Sequence, residues 1–403
     1  MMILTKRYSK PIWIRLVGEL LTSITGAMLA LIFIIYVNKA LNGNALFTML
    51  LFGLQPLSEI LFTLFGGSIT DRFGRKVIIL IGLLLQACAM TGFIFAESVI
   101  PFALFYIMNG LGRSLYIPAQ RAQIADVTEK EKQAEVFALI QTVGAVGAII
   151  GPAIGYLFYK DDPTILFILE AAALFLYSVL VWTQLPETAP LLQHDEQKTT
   201  PTKWKHFLSQ HYCVFGLMVF MLPISFFYAQ METNYRLYAE KELFTNFMFV
   251  FTFMATCKGI MEIVLQVGVV KWAEKFSMQK IIVISYICYT IAAIGYGYSN
   301  TLWLLFFTLL ILTIGESIAL NHLLRFVSEL APEHMRGIYF SIYGTHWDVS
   351  RMLGPAAGAL LLQHFSGSFL FNICAVFLII GGISQYFFIN YILKQDKTKR
   401  LSA

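Results

Sequence analysis

The sequence predicts an all-α integral membrane protein of twelve transmembrane helices, arranged as two six-helix halves. Three observations carry this. Of 403 residues, 58% are hydrophobic and 13% are charged, and the mean hydropathy is +0.69. A soluble domain is about 25% charged, so polar surface is too scarce here to cover a water-soluble body. Twelve apolar runs follow one another, and each approaches the ~20 residues that cross a bilayer. The second half also repeats the first at a constant offset of 203 residues: Gly112 falls on Gly315, Phe137 on Phe340, Gly151 on Gly354, Pro152 on Pro355 and Gly155 on Gly358.

The runs lie at about 12–37, 45–69, 77–95, 102–125, 136–159, 164–185, 212–238, 244–270, 281–299, 302–327, 337–362 and 369–393. The first is too long for a cleavable signal and no small-residue cleavage site follows it, so none is expected. Twelve crossings put both termini on one side. Assigning Lys and Arg to the two faces gives 22 on the side of the termini and four on the other, with Arg113, Lys258 and Arg351 inside spans. Short cytoplasmic loops are enriched in these residues, so both termini are predicted cytoplasmic, in a cell membrane. The polar stretch 186–210 divides the chain into halves 1–185 and 211–403 and reads as a cytoplasmic linker.

The net charge of +5 is spread over loops, which gives no nucleic-acid signature. Five scattered cysteines show neither a metal spacing nor a disulfide framework. No phosphate loop or nucleophile–base arrangement is present. An enzyme, a metal protein and an ATP-driven pump therefore have no support, and no cofactor is expected. The partners expected are a small-molecule substrate, protons and lipid, with the chain as a monomer.

The connection between the second and third runs is Gly67-Ser68-Ile69-Thr70-Asp71-Arg72-Phe73-Gly74-Arg75-Lys76. Gly67 allows close helix approach, and Gly74 permits a tight reversal with positive φ. Asp71 is suited to accept from a helix N-terminus or to pair with an arginine. In the fifth run, Gly147, Gly151 and Gly155 recur every four residues around Pro152. Such a face lets helices pack closely in lipid, and the proline bends the helix. These two stretches resemble the loop between helices 2 and 3 of the major facilitator superfamily and the helix 5 motif of its exporter branch. The chain resembles the drug:proton antiporter family along nearly its whole length. That resemblance implies two bundles rocking about a central cavity, with Gly67, Asp71, Arg72, Gly74 and Arg75 gating the cytoplasmic side. The degenerate copy at Lys271–Lys280 lacks the Gly74 and Arg75 equivalents. The fourth run departs from the family pattern: Tyr106 stands where an arginine is usual, and Arg113 lies two turns on.

Ionisable groups inside spans are expensive and mark candidate sites. Burial in low dielectric favours the neutral carboxyl, which lets such a group load and release protons near neutral pH. Proton coupling is assigned to Glu316, Glu19, Glu59 and Arg113, with Glu19 or Glu59 as the expected partner of Arg113. A purely structural ion pair is the alternative. Glu316 ranks first: it lies ~21 Å along the tenth run, no cation stands within one turn of it, and Thr313–Ser317 resembles the Gly-Glu step of proton-coupled multidrug transporters. Lys258 with Glu262, and Asp348 with Arg351, have helical spacings suited to mutual neutralisation. The seventh run is rich in aromatics with polar residues between them. Substrate binding is assigned there to Tyr228, Gln230 and Glu232, together with Glu316, because aromatic faces beside a carboxylate suit lipophilic cations.

The function expected is secondary active export of lipophilic, cationic drugs or toxic compounds in exchange for protons. Two alternatives stand beside it: export of a single metabolite, sugar or lipid, and a transporter-like sensor or scaffold without flux.

Overall fold

The computed structural model describes residues 8–129, 133–158, 163–188, 211–332 and 336–401; side chains at 31, 63–72, 133–135, 138, 267, 336–338 and 396–401 lie outside that description. Among the described residues there are twelve long helices, one on each apolar run. They are α1 (Lys10–Ala40), α2 (Ala45–Phe73), α3 (Arg75–Phe93), α4 (Val99–Val127), α5 (Gln133–Phe158), α6 (Thr164–Gln184), α7 (Tyr212–Glu232), α8 (Phe247–Ala273), α9 (Met278–Tyr298), α10 (Leu302–Leu330), α11 (Arg336–His364) and α12 (Gly367–Leu401). After a break at Thr233, α7 continues through Asn234–Tyr238 and a π-helical turn, Ala239–Leu243. Ten of the twelve are long and apolar enough to cross a membrane. The other two, α4 and α11, carry Arg113, Gln120 and Arg121 and, in turn, His346, Asp348 and Arg351.

Local chemistry sets the helix ends. Between α1 and α2 the chain reverses through Asn42 and Gly43, both at positive φ, and the Asn44 side chain accepts from Phe47 N at the start of α2. Thr301 caps α10 in the same way through Leu304 N. Five helices contain an internal proline: Pro56, Pro118, Pro152, Pro223 and Pro355. In lipid such breaks are tolerated because neighbouring helices re-satisfy the freed backbone groups.

The chain divides into two compact units, Met1–Asp195 with Phe247–Thr256, and Glu196–Asn246 with Cys257–Ala403. In the first, α1 packs on α5 and α6, and α4 on α2 and α3. Its centre is aromatic: Phe33 meets Phe93, Tyr106 and Phe167 with ring centroids 4.8, 5.4 and 5.4 Å apart. Each such contact is worth about 0.5–1.5 kcal/mol beyond area burial. Tyr106, at the position where the family pattern has arginine, is thus a core residue. In the second unit α7 packs on α11 and α12, and α9 on α10 and α12. Phe227, Tyr235, Tyr296 and Phe371 form its aromatic centre.

The fifth-run glycines face α1. A Cβ on Gly151 would lie 2.5 Å from Ile24 O, and one on Gly155 would lie 2.7 Å from Met28 O. Gly147 meets the backbone at Ser23 and Ile24 on the same line. The repeat reproduces this contact between α11 and α7 with a polar addition. Gln230 donates to Gly354 O at 2.8 Å and Asn234 donates to Pro355 O at 2.9 Å.

Candidate transport site

Gly74 separates α2 from α3 with φ +92° and ψ 144°, the left-handed conformation expected of it. The first two amides of α3 point at one carboxylate: Arg75 N and Lys76 N donate to Glu187 Oε1 and Oε2 at 2.9 and 3.1 Å. A Cβ on Gly74 would lie 2.7 Å from Glu187 Oε2, so the glycine also makes room for this cap. The Arg75 guanidinium pairs with Asp126 and donates to Ala122 O at the end of α4. The side chains of Asp71 and Arg72 lie outside the described residues. The carboxylate that caps the start of α3 is that of Glu187.

Within the first unit, α2 and α4 are laced by one polar chain. Asn109 donates to Gln55, Gln55 to Glu59, and Arg113 Nε to Glu59 Oε1 at 2.7 Å. Of the two partners expected for Arg113, Glu59 is therefore the one it meets. Glu19 is engaged on its own helix by Arg15 and Ser23. Arg15, counted with the loop cations in the sequence, is 7% exposed inside α1 and also meets Tyr116 and Tyr177. These groups border a cavity of about 450 Å³ lined by Arg15, Glu19, Gln86, Arg113, Gln120 and Glu170 among others. Glu170 is the buried acid that sequence reasoning left unassigned. It is 8% exposed on α6, and its Oε2 makes no hydrogen bond.

Within the second unit, Glu316 has a cation that its own helix does not supply. Lys258 of α8 places Nζ 3.4 Å from Glu316 Oε2 and 3.4 Å from Glu262 Oε1. No cation stands within one turn of Glu316 along α10; the lysine comes from another helix, which a turn-by-turn reading of α10 cannot see. The Lys258–Glu262 pairing does form. Lys258 also lies 5.6 Å from the Tyr228 ring centroid, and Tyr228 packs against Tyr289 and Trp347. Sequence reasoning missed both Tyr289 and Trp347, whose neighbourhood is set by packing between helices.

The remaining substrate assignments separate. Tyr228 stands at the ion cluster. Glu232 forms a pair with Arg351 at 3.2 Å, a partner on α11 that the spacing of Arg351 to Asp348 did not suggest. Gln230 is 0% exposed and spends its amide on Gly354 O and Asn234. In this structure Gln230 therefore serves as a strut between α7 and α11. Of the other α7 aromatics, Phe226 packs on Phe377, and Phe227 and Tyr235 lie in the core.

The offset of 203 residues relates the two clusters position by position. Glu59 corresponds to Glu262, Gln55 to Lys258 and Arg113 to Glu316. The cation has changed helices, from α4 in the first unit to α8 in the second. The first cluster has one acid for one cation, and the second has two acids for one cation.

The Major Facilitator Superfamily model matches residues 16–351 and 245–402. The chain belongs to the major facilitator superfamily. It is a multi-pass membrane transporter, and it is 45% identical to the uncharacterized MFS-type transporter YhjO of Bacillus subtilis strain 168, over 94% of this chain and 93% of that one. It is 24% identical to a Na(+), Li(+), K(+)/H(+) antiporter of Planococcus maritimus over 94% and 95%. It is also 24% identical to the quinolone resistance protein NorA of Staphylococcus aureus strain COL over 76% and 79%. Among solved structures, the nucleoside transporter NupG superposes with TM-score 0.75 at 10% identity, over 94% of this chain and 99% of that one. The likeness to NupG establishes the fold.

Proposed function

We propose that this transporter exports lipophilic organic cations across the cell membrane in exchange for protons, by alternating access, with both termini in the cytoplasm. The observation that carries the reading is the imbalance in the second unit, where Glu262 and Glu316 share the single ammonium of Lys258 beside the Tyr228 ring. A second positive charge is needed to neutralise that cluster, and a proton or a cationic substrate supplies it. Occupation by one then excludes the other, which is the condition for exchange. The cation/H(+) antiporter and the quinolone resistance protein among the relatives support the reading. No cofactor enters it; the proton gradient is the energy source. The N-terminal half 1–185 and the C-terminal half 211–403 are the two repeats, joined by 186–210.

The test is ethidium efflux from vesicles holding the purified protein under an imposed pH gradient, for wild type and Glu316→Gln. Efflux by wild type with loss of proton coupling in the variant is expected. Proton-coupled efflux retained in Glu316→Gln moves the coupling role to another acid, Glu170 first. Absence of dye movement in wild type under a sound gradient sinks the multidrug reading.

A second reading rests on the cavity of the first unit, whose lining includes Arg15, Arg113, Arg121, Gln86, Gln120 and Gln141. With the Glu19 and Glu170 carboxylates of the same lining, these groups suit a single polar metabolite that both donates and accepts hydrogen bonds. Competition by one polar compound, with indifference to dyes, is the result that favours it.

A further inference from the structure

The contacts of Lys258 are unlike those of an ordinary structural ion pair. A charge-assisted N–H···O bond is about 2.7–2.9 Å long, and the corresponding pair in the first unit, Arg113 with Glu59, is 2.7 Å. Lys258 instead sits 3.4 Å from each of two carboxylates. Glu316 Oε2 and the hydroxyls of Tyr228 and Tyr289 are buried without a hydrogen bond of ordinary geometry, although both tyrosines adjoin the Glu316 carboxylate. The third face of the ammonium is the Tyr228 ring, 5.6 Å from its centroid. Carboxylates on one side and aromatic faces on the other make up the standard recognition chemistry for an organic ammonium. Here that place is taken by a side chain of the protein itself.

Comparison of the repeats shows why the lysine is not locked in. Gly110 of α4 lets α2 come so close that a Cβ there would lie 2.6 Å from Gln55 O. Its counterpart on α10 is Thr313. Close packing of α2 on α4 has no equal between α8 and α10, so the gap is bridged by long side chains. Lys258, Glu262 and Glu316 keep side-chain exposures of 31, 40 and 21%. A four-carbon stem with a compact charge at its end can swing away from such a site.

We propose that Lys258 is a tethered occupant of an organic-ammonium site formed by Glu262, Glu316 and Tyr228, and that the substrate is an amphiphile whose single amine-type cation displaces it. This rests on the cation-export reading and narrows its substrate class. While the lysine is seated, only the fraction of molecules with the site vacant can bind, and the apparent Kd rises in proportion. On substrate release the lysine returns and covers the carboxylates.

The test is thermal unfolding of Lys258→Ala and wild type with n-propylammonium chloride, which replaces the lost end of the side chain, against potassium chloride at equal ionic strength. Propylammonium is expected to raise the unfolding temperature of Lys258→Ala above its value in potassium, and to leave wild type unmoved. Should Lys258→Ala not fold, Lys258→Gln takes its place, since glutamine is the residue at the equivalent position of the first repeat. Equal behaviour in the two salts overturns the proposal, because it shows a general negative field with no preference for an organic ammonium. In parallel, Lys258→Met is expected to bind ethidium about tenfold more tightly than wild type, the gain from freeing a site occupied about 90% of the time, with Lys258→Arg close to wild type. Where wild type binds ethidium measurably, binding by Lys258→Met that is no tighter also overturns it. A propylammonium effect without ethidium binding in any variant upholds the site and removes the multidrug reading alone.

Discussion

The pair Glu59–Arg113 shows what a single charged residue costs inside a span. Removing one partner of a fully buried pair leaves an uncompensated charge and costs about 3–5 kcal/mol. Arg113 and Glu59 retain side-chain exposures of 41 and 22%, so a smaller loss is expected, about 1–2 kcal/mol for Arg113→Gln. The double variant Glu59→Gln, Arg113→Gln should recover most of it, because two amides can hydrogen-bond without a charge. Thermal unfolding in detergent of the two singles and the double measures this coupling directly; strictly additive losses would show that the pair does not act as a unit. Tyr106 makes the opposite point. It is 1% exposed in an aromatic cluster, so Tyr106→Arg should abolish folding rather than restore a proton relay, as read by loss of the monodisperse species after extraction.

At the scale of helices, the contacts that matter are close approaches. Gly151 and Gly155 seat α5 on backbone oxygens of α1, an interface that only small residues permit. Gly151→Val is expected to push the two helices apart and lower the unfolding temperature well beyond the effect of Val→Ala at a lipid-facing position such as Val376, which is 52% exposed. The start of α3 is held differently. Glu187 satisfies two amides that no helix can satisfy internally and places negative charge at the positive end of the helix. Glu187→Ala should cost about 1 kcal/mol, and hydrogen exchange should quicken at Arg75 and Lys76 with little change along the rest of α3. Uniform protection in the variant would show that the carboxylate is not the cap.

At the scale of the molecule, the repeat gives two units of related packing and unlike chemistry. Each uses a Gly-Pro helix packed on the first helix of its half, α5 on α1 and α11 on α7. Only the second unit has a surplus carboxylate in the cluster that the repeat aligns. Sidedness belongs to this scale as well. In a protein whose five native cysteines are replaced by serine or alanine, single cysteines introduced at residues 190 and 205 are expected to react with an impermeant maleimide only in inside-out vesicles. Labelling from the outside of intact cells would reverse the orientation assigned from the Lys and Arg distribution.

The sequence by itself determined the helices, the repeat, the family and most of the membrane-embedded charges, Arg15 being the exception. Those features are local or periodic: an apolar run long enough for a bilayer has to satisfy its backbone internally, and a glycine–proline spacing keeps its meaning wherever the helix lies. Even the left-handed turn at Gly74 was legible from residue type. Only the tertiary structure decided which charge meets which. Lys258 reaches Glu316 from another helix, Arg351 meets Glu232, Gln230 disappears into an interface, and Glu170 becomes a buried acid. The physical reason is that an ionic or aromatic contact depends on distances between helices tens of residues apart, and helix periodicity orders side chains only along one helix.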